Sequence, residues 1–386
     1  MRYFTCGLIF SMAFLAGCAQ HAVVAPLPGS AETAAVALDS SFKLLYSFKS
    51  RPDGSKPYGR LAALGGALYG TTSSGGTNER GTIYEIKSDG TESIVHNFSD
   101  GKDDGSSPVS GMVARNGALY GVTEHGGAYG DGTFYEFKPD GTFRVLYSFV
   151  KSTGQYPIGE LTSFGGVFYG VTSKGGSHDI GTAYVITTGG GHEVLHSFAG
   201  GSDGESPEGG LAFLDHNLFG VTYGGGANNL GTVYEINAEG KERVIYSFQN
   251  GSDAALPMSG LTAFEGALYG TSGLGGPNCC GSIYEVKKDG SERIVYSLSH
   301  KDGVSPHAGL TVLNGVLYGT ATRGGASNVG TVFAVKPDGT FHVVHSFGLK
   351  NGSDPRGVLF AHDGKLYGTT INGGSAYKGV VFEVTP

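Results

Sequence analysis

Residues 67–81, ALYGTTSSGGTNERG, decide the fold, because the chain writes this pattern seven times. Its apolar-aromatic-Gly core recurs with the aromatic at Tyr69, Tyr120, Tyr169, Phe219, Tyr269, Tyr318 and Tyr367, at intervals of 51, 49, 50, 50, 49 and 49 residues. A glycine pair follows each time, from Gly75-Gly76 to Gly373-Gly374, and then a Gly-Thr-apolar-aromatic run such as Gly81-Thr82-Ile83-Tyr84. A fixed period of this length means that one small structural unit is copied along the chain.

Working outward, the first full copy reads as four short strands: a at 61–64, b at 67–72, c at 82–87 and d at 92–98. Gly65-Gly66 separates a from b, and Ser88-Asp89-Gly90 separates c from d, so both connections carry the residues that accept the positive φ of a tight hairpin. Strands b, c and d are rich in Tyr, Phe, Ile, Val and Thr, which suit a pleated surface. Among 386 residues there are 69 Gly, 22 Phe and 21 Tyr and no long helical pattern, which fits short strands and tight turns. Four antiparallel strands per period of about fifty residues is the length of a kelch-type propeller blade.

The ends of the repeat are complementary. The last copy supplies a at 358–361, b at 365–370 and c at 380–384, and lacks a strand d. Residues 42–48, FKLLYSF, match the d strands RVLYSF (144–149) and RVIYSF (243–248). The expectation is therefore an all-β, seven-bladed propeller of four-stranded antiparallel blades over 41–386, with the N-terminal strand completing the last blade. Closure of this kind leaves no open sheet edge at the junction.

The signature LYSF…DG…P…GL…LYGTT…GG…GTIYEI…DG, running from Tyr46 to the C-terminus, resembles the GloVer tandem-repeat family of secreted and surface-anchored bacterial proteins. That family is known by its repeat rather than by a reaction, so the resemblance implies the fold and leaves the chemistry open. The likeness to kelch repeats is partial, since the glycine pair is present but the chain has no Trp.

Ahead of the repeat, residues 1–17 join Arg2 to an apolar run too short to span a membrane, the pattern of a secretory signal. Leu15-Ala16-Gly17-Cys18 resembles the lipobox of bacterial lipoproteins, which implies cleavage before Cys18 and its lipidation. The following Ala19 and Gln20, in place of a retaining aspartate, favour the outer membrane. Residues 18–40 carry Ala, Pro and Ser without strand rhythm and read as a flexible tether. The net charge of −8 offers no basic footprint for nucleic acid.

A functional residue in such a chain should break the repeat. His96, His196 and His345 stand where Tyr46, Tyr147, Tyr246 and Tyr296 stand in other copies, and so read as structural. Glu85, Glu136, Glu235, Glu285 and Glu383 recur on strand c, where hydrogen bonds between blades are expected. Loop length selects one face: b–c runs about nine residues and d–a about twelve, on the same side of the disc, and long loops on a rigid scaffold are where binding sits.

The d–a loops end in a Pro-x-x-Gly-Leu pattern with prolines at 57, 108, 157, 207, 257, 306 and 355. The residue after Pro varies: Tyr58, Val109, Ile158, Glu208, Met258, His307 and Arg356. Arg60 and Glu160 replace the usual Gly. The expected ligand-binding ring at the channel mouth is Tyr58, Arg60, Glu160, Glu208, Met258, His307 and Arg356, with a second ring of Glu124, His125, Lys174, Tyr223 and Arg323 closing strand b.

Asp100, Asp103, Asp104 and the other d–a aspartates (Asp53, Asp203, Asp253, Asp302, Asp354) offer oxygen ligands that could hold Ca2+, though without EF-hand spacing. Cys279 and Cys280 are adjacent and could form a vicinal disulfide outside the cytoplasm. No metal-binding motif, HExxH, nucleophile elbow or P-loop is present. The function expected is a monomeric, non-catalytic binding or interaction module for a glycan, peptide or envelope protein. The alternatives are a polysaccharide lyase or glycoside hydrolase built on the same scaffold, and a pure assembly scaffold.

Overall fold

A computed structural model describes residues 41–49, 51–249, 251–278 and 280–386. The expected signal segment, Cys18 and the tether lie outside the described residues. Each repeat forms one antiparallel sheet in the order a-b-c-d. In blade 1, for instance, strand b (Ala67–Gly75) pairs with c (Thr82–Ile86), and c with d (Glu92–Asn97). The ring closes as the sequence predicts: Ser41–Ser47 lies antiparallel against Val380–Thr385 in the seventh blade, with Ser41 opposite Thr385 and Ser47 opposite Val380.

The repeated residues each have a packing reason. In blade 1 the cross-strand partner of Gly70 is Tyr84, whose ring lies so close that a Cβ on Gly70 would sit 2.2 Å from its hydroxyl. The same contact joins Gly220 to Tyr234 and, with Phe in place of Tyr, Gly319 to Phe333. The phenylalanine that ends strand d wedges against this ring in the next blade: Phe98 on Tyr135, Phe198 on Tyr234 and Phe248 on Tyr284, with centroids 5.6, 4.9 and 5.1 Å apart. Phe48, from the N-terminal strand, makes the equivalent contact with Tyr84 at 5.0 Å. Each apolar cluster therefore joins two neighbouring blades, as Phe98 with Tyr135 and Phe248 with Tyr284 illustrate.

A second link between blades runs through backbone. The residue before each proline holds a positive φ: Lys56, Ser107, Tyr156, Ser206, Leu256, Ser305 and Asp354, all between 51° and 57°. Its N–H donates to a carbonyl of the preceding blade, such as Leu256 to Leu230 O at 2.9 Å, and across the closure Lys56 to Lys378 O at 2.9 Å. The proline then covers the glycine that opens strand c of that blade: a Cβ on Gly231 would meet Pro257 Cδ at 2.8 Å, and one on Gly379 would meet Pro57 Cδ at 2.5 Å.

Two expectations need correction. In blades 3 and 4 strand a begins before the Pro-x-x-Gly pattern rather than after it. In the other blades a strand follows the pattern as expected, Ala62–Leu64 in blade 1 for instance. In blade 3 strand a runs Gln155–Phe164, with Pro157 opposite Thr172, and the register slips between Ile158 and Thr162. The b–c loop of blade 1 shortens to 76–81 because strand b runs on to Gly75, whereas blades 6 and 7 keep the expected nine residues, 322–330 and 371–379. The strand-c glutamates also act within blades rather than between them: Glu85 accepts from Tyr69 at 2.7 Å, Glu235 pairs with Arg243 at 2.6 Å, and Glu383 pairs with Lys365 at 2.7 Å.

Two stability outcomes follow from these contacts. Phe48→Ala should cost about 3–5 kcal/mol, matching Phe248→Ala, when measured by urea denaturation; a negligible cost at Phe48 would mean that the N-terminal strand does not close the ring. Gly231→Ala should cost about 2–4 kcal/mol, since it combines the left-handed backbone with overpacking against Pro257. Gly240, at φ 76° with open space around it, should cost only about 1–2 kcal/mol.

Candidate functional site

The slip in strand a builds the channel mouth. In blades 3 and 4 the residue after the proline still pairs, Ile158 with Val171 and Glu208 with Val221, and the three residues that follow leave the ladder, a use of bulges common beside binding sites. Below the mouth the backbones of neighbouring blades nearly touch. A Cβ on Gly209 would lie 1.9 Å from Gly260 N, and one on Gly59 would lie 2.2 Å from Gly111 N. Glycine is needed at Gly59 and Gly209 because the neighbouring backbone leaves no room for a Cβ there.

Above this constriction lies a cavity of about 280 Å3. All seven residues that follow the prolines line it: Tyr58, Val109, Ile158, Glu208, Met258, His307 and Arg356. Glu160 and Glu124 also face it. Copies that are alike elsewhere thus present seven different side chains to one shared space.

The polar groups there form a graded set. The Arg356 guanidinium holds Asp354 with two contacts, Nε to Oδ1 at 2.9 Å and a terminal nitrogen to Oδ2 at 3.3 Å. Burial works against the Arg356 charge, but Asp354 and Tyr58 outweigh it and hold its pKa above the ordinary range. Burial raises Tyr58, against the opposing pull of Arg356, so the phenol stays protonated. His307 is pushed down to about 4, first by burial and then by the charge of Arg356, with Arg323 adding to it. It is neutral at pH 7, with Nε2 3.1 Å from Ser305 Oγ. Glu208 is pushed up to about 7 by burial alone.

Glu160 does something the sequence could not show. Its Oε1 accepts the backbone N–H of Gly111 at 3.2 Å and of Arg60 at 3.1 Å, so one carboxylate from blade 3 ties together blades 2 and 1. Burial raises its pKa, and these donors oppose the rise.

Other members of the expected rings lie elsewhere. Arg60 leaves the mouth: it is exposed, with its guanidinium 5.2 Å from the Phe360 ring centroid in blade 7. Val358, the corresponding residue of the seventh copy and a third departure from Gly, does line the cavity. Of the second ring, Glu124 alone is among the cavity's lining residues. His125 packs edge-on against Tyr156 at 5.1 Å and pairs with Ser106. Lys174 lies opposite Gln155 in the ladder, Tyr223 is half-buried at the end of strand b, and Arg323 bridges to Val304. Asp354 entered the sequence reading only as a d–a loop aspartate, and Ser305 did not enter it. An i, i+2 Asp–Arg pair was the available signal for Asp354, and nothing in the sequence marked Ser305.

The d–a aspartates are engaged in closing their own loops. Asp53 accepts from Tyr46 at 2.9 Å and from Lys49 N–H at 2.8 Å, and Asp253 accepts from Tyr246 and Gln249 N–H at 2.8 and 2.7 Å. Cys280 is buried, with its sulfur 3.4 Å from His300 Nδ1. Cys279 lies outside the described residues, and so does the pairing expected of it.

No curated protein matches the chain in sequence. Solved structures share its fold at low identity. A structural-genomics target provisionally named a gluconolactonase has 12% identity and a TM-score of 0.50, with 90% of this chain and 92% of that one covered. A puromycin hydrolase has 12% identity and a TM-score of 0.54, and a puromycin-hydrolysing peptidase of Mycobacterium tuberculosis has 12% and 0.53. This chain covers 52% of the length of each of those two, against 84% of its own. In sequence, the Gloeobacter/Verrucomicrobia repeat matches residues 33–234, 93–284 and 265–386. Seven copies of one repeat, closed into a propeller, thus make this chain a member of the Gloeobacter/Verrucomicrobia repeat family.

Proposed function

We propose that the protein is a non-catalytic binding module whose channel mouth takes the end of a polar, carboxylate-bearing ligand, best matched by an acidic glycan. The observation that carries this reading is the convergence of seven unlike side chains on one cavity in a chain that otherwise repeats itself. The volume of about 280 Å3 lies just below the roughly 300–1,000 Å3 of clefts that enclose drug-sized molecules. It suits one sugar unit or one chain terminus. Arg356 supplies a fixed positive charge for a carboxylate, neutral His307 and Tyr58 supply hydrogen bonds for hydroxyls, and Met258, Val109 and Ile158 supply an apolar wall.

A hydrolase is the alternative, because structures with this fold include named hydrolases. What weighs against it is the state of the groups. Asp354, the carboxylate that would orient His307, is occupied by Arg356, and Glu160 is tied to two backbone amides. Neither is poised for proton transfer, which leaves Glu208, pushed up to about 7 by burial, as the acid–base group this alternative would use. Anchoring at Cys18 in the outer membrane, on the lipobox-like Leu15–Cys18 run, belongs to the same proposal. Cys18→Ser should release the protein from the membrane fraction, and retention there would remove the anchor.

Galacturonate and glucuronate oligomers are the first probes, scored by thermal shift and calorimetry with release of reducing ends followed in parallel. Arg356→Ala should abolish binding. The pH dependence has a defined sign: Glu208 is neutral below about 7 and ionised above it, so affinity for an acidic probe should fall as pH rises from 6 to 8. A like charge within the cavity is worth about 1–2 kcal/mol, a loss of roughly five- to thirtyfold. Glu208→Gln should flatten the profile. Product release would move the assignment to catalysis, and Arg356→Ala binding normally would remove this site.

A further inference from the structure

The outer seams between blades are closed by one side chain from the end of each strand d and one from the start of the next. Four of these seams stack two rings: Phe42 on His345, Phe143 on His96, His192 on Tyr147 and Phe341 on Tyr296, at 3.9, 4.0, 4.4 and 4.1 Å between centroids. The other three put a glutamate in the stacking position, where it meets the aspartate of the d–a loop: Glu92 with Asp53, Glu242 with Asp203, and Glu292 with Asp253. Two carboxylates then face each other across a part-buried seam. One oxygen of each glutamate, Oε1, is shut off from solvent with no hydrogen-bond partner among the described residues.

At two of these seams the third group is a tyrosine hydroxyl that donates to the aspartate, Tyr46 to Asp53 and Tyr246 to Asp253. Between blades 3 and 4 it is an imidazole. His196 Nε2 lies 3.1 Å from both Asp203 oxygens, and one ligand atom each from His196, Asp203 and Glu242 fall within 4.8 Å of one another. Asp203 Oδ2 also accepts the Ala199 N–H at 2.6 Å, which fixes the carboxylate.

We propose that this seam is a divalent transition-metal site, with His196, Asp203 and Glu242 as its protein ligands. The donor set decides the class of ion. One imidazole with two carboxylates suits zinc or manganese, whereas calcium takes oxygen alone. Ligands about 2.1 Å from zinc stand roughly 3.4 Å apart in a tetrahedron, so the cluster needs only a small side-chain contraction. The fourth position remains for water. The cation would neutralise the facing carboxylates and engage the Glu242 oxygen that the protein leaves unpartnered. His196 thus occupies a repeat position, yet its combination with a seam glutamate breaks the repeat.

The test uses the full-length protein, stripped with chelator and titrated with zinc chloride and then manganese chloride by calorimetry and thermal shift. His196→Tyr rebuilds the Tyr–Asp–Glu arrangement already present at two seams, so it should fold normally and bind one fewer metal ion. Glu242→Gln should weaken the same site at least tenfold. Tyr246→His, which assembles the same triad beside Asp253 and Glu292, should add one site. Metal binding that is unchanged in His196→Tyr, or absent in the parent protein up to millimolar zinc, would overturn the proposal. Retained affinity in Glu242→Gln would do the same.

Discussion

The clasp between blades is the constraint on which the rest of the structure depends. One backbone N–H, held at positive φ before a proline, reaches the preceding blade, and the proline covers a glycine there. Leu256 to Leu230 O, with Pro257 over Gly231, is one of seven such contacts. A left-handed conformation costs a residue such as Leu256 about 1–2 kcal/mol, and the repeat accepts that cost seven times. The clasp fixes the position of the proline, and the residue that follows it lines the mouth. Scaffold and site are therefore joined at one dipeptide.

This arrangement separates what must be constant from what is free to vary. The proline, the glycine before strand c and the aromatic ring on the Leu-Tyr-Gly glycine all sit in contacts too tight for exchange. The residue after the proline faces open space in the mouth, and there the copies differ completely. Glu160 shows the limit of that freedom. Where a copy departs from glycine at the constriction, its carboxylate is taken up by backbone donors of two other blades.

Much of this was legible in the sequence. The spacing of Tyr69 and its counterparts gave the blade count, and the likeness of residues 42–48 to later d strands gave the closure. Other features were hidden for physical reasons. Nothing in the letters Lys56 or Leu256 announces a positive φ, because tertiary contacts impose it. The clasp joins residues of different copies, so no local pattern encodes it. Arg60 and Glu160 look equivalent in an alignment of the copies, yet one lies over Phe360 of blade 7 and the other accepts from Gly111 of blade 2. Among the d–a aspartates, Asp53 and Asp253 take tyrosine hydroxyls and Asp203 takes an imidazole, a difference that the shared loop composition does not show and that only the partners reveal.

On the function proposed for this protein, recognition of the ligand takes place in the mouth. Amide hydrogen exchange on the protein with and without an acidic oligosaccharide of the galacturonate type tests it most directly. Slowed exchange in the bulge segments 58–61, 208–211 and 307–310, from blades far apart in sequence, is the predicted result. Slowing confined to the outer d strands or to the b–c turns, with the bulge segments unchanged, would contradict it.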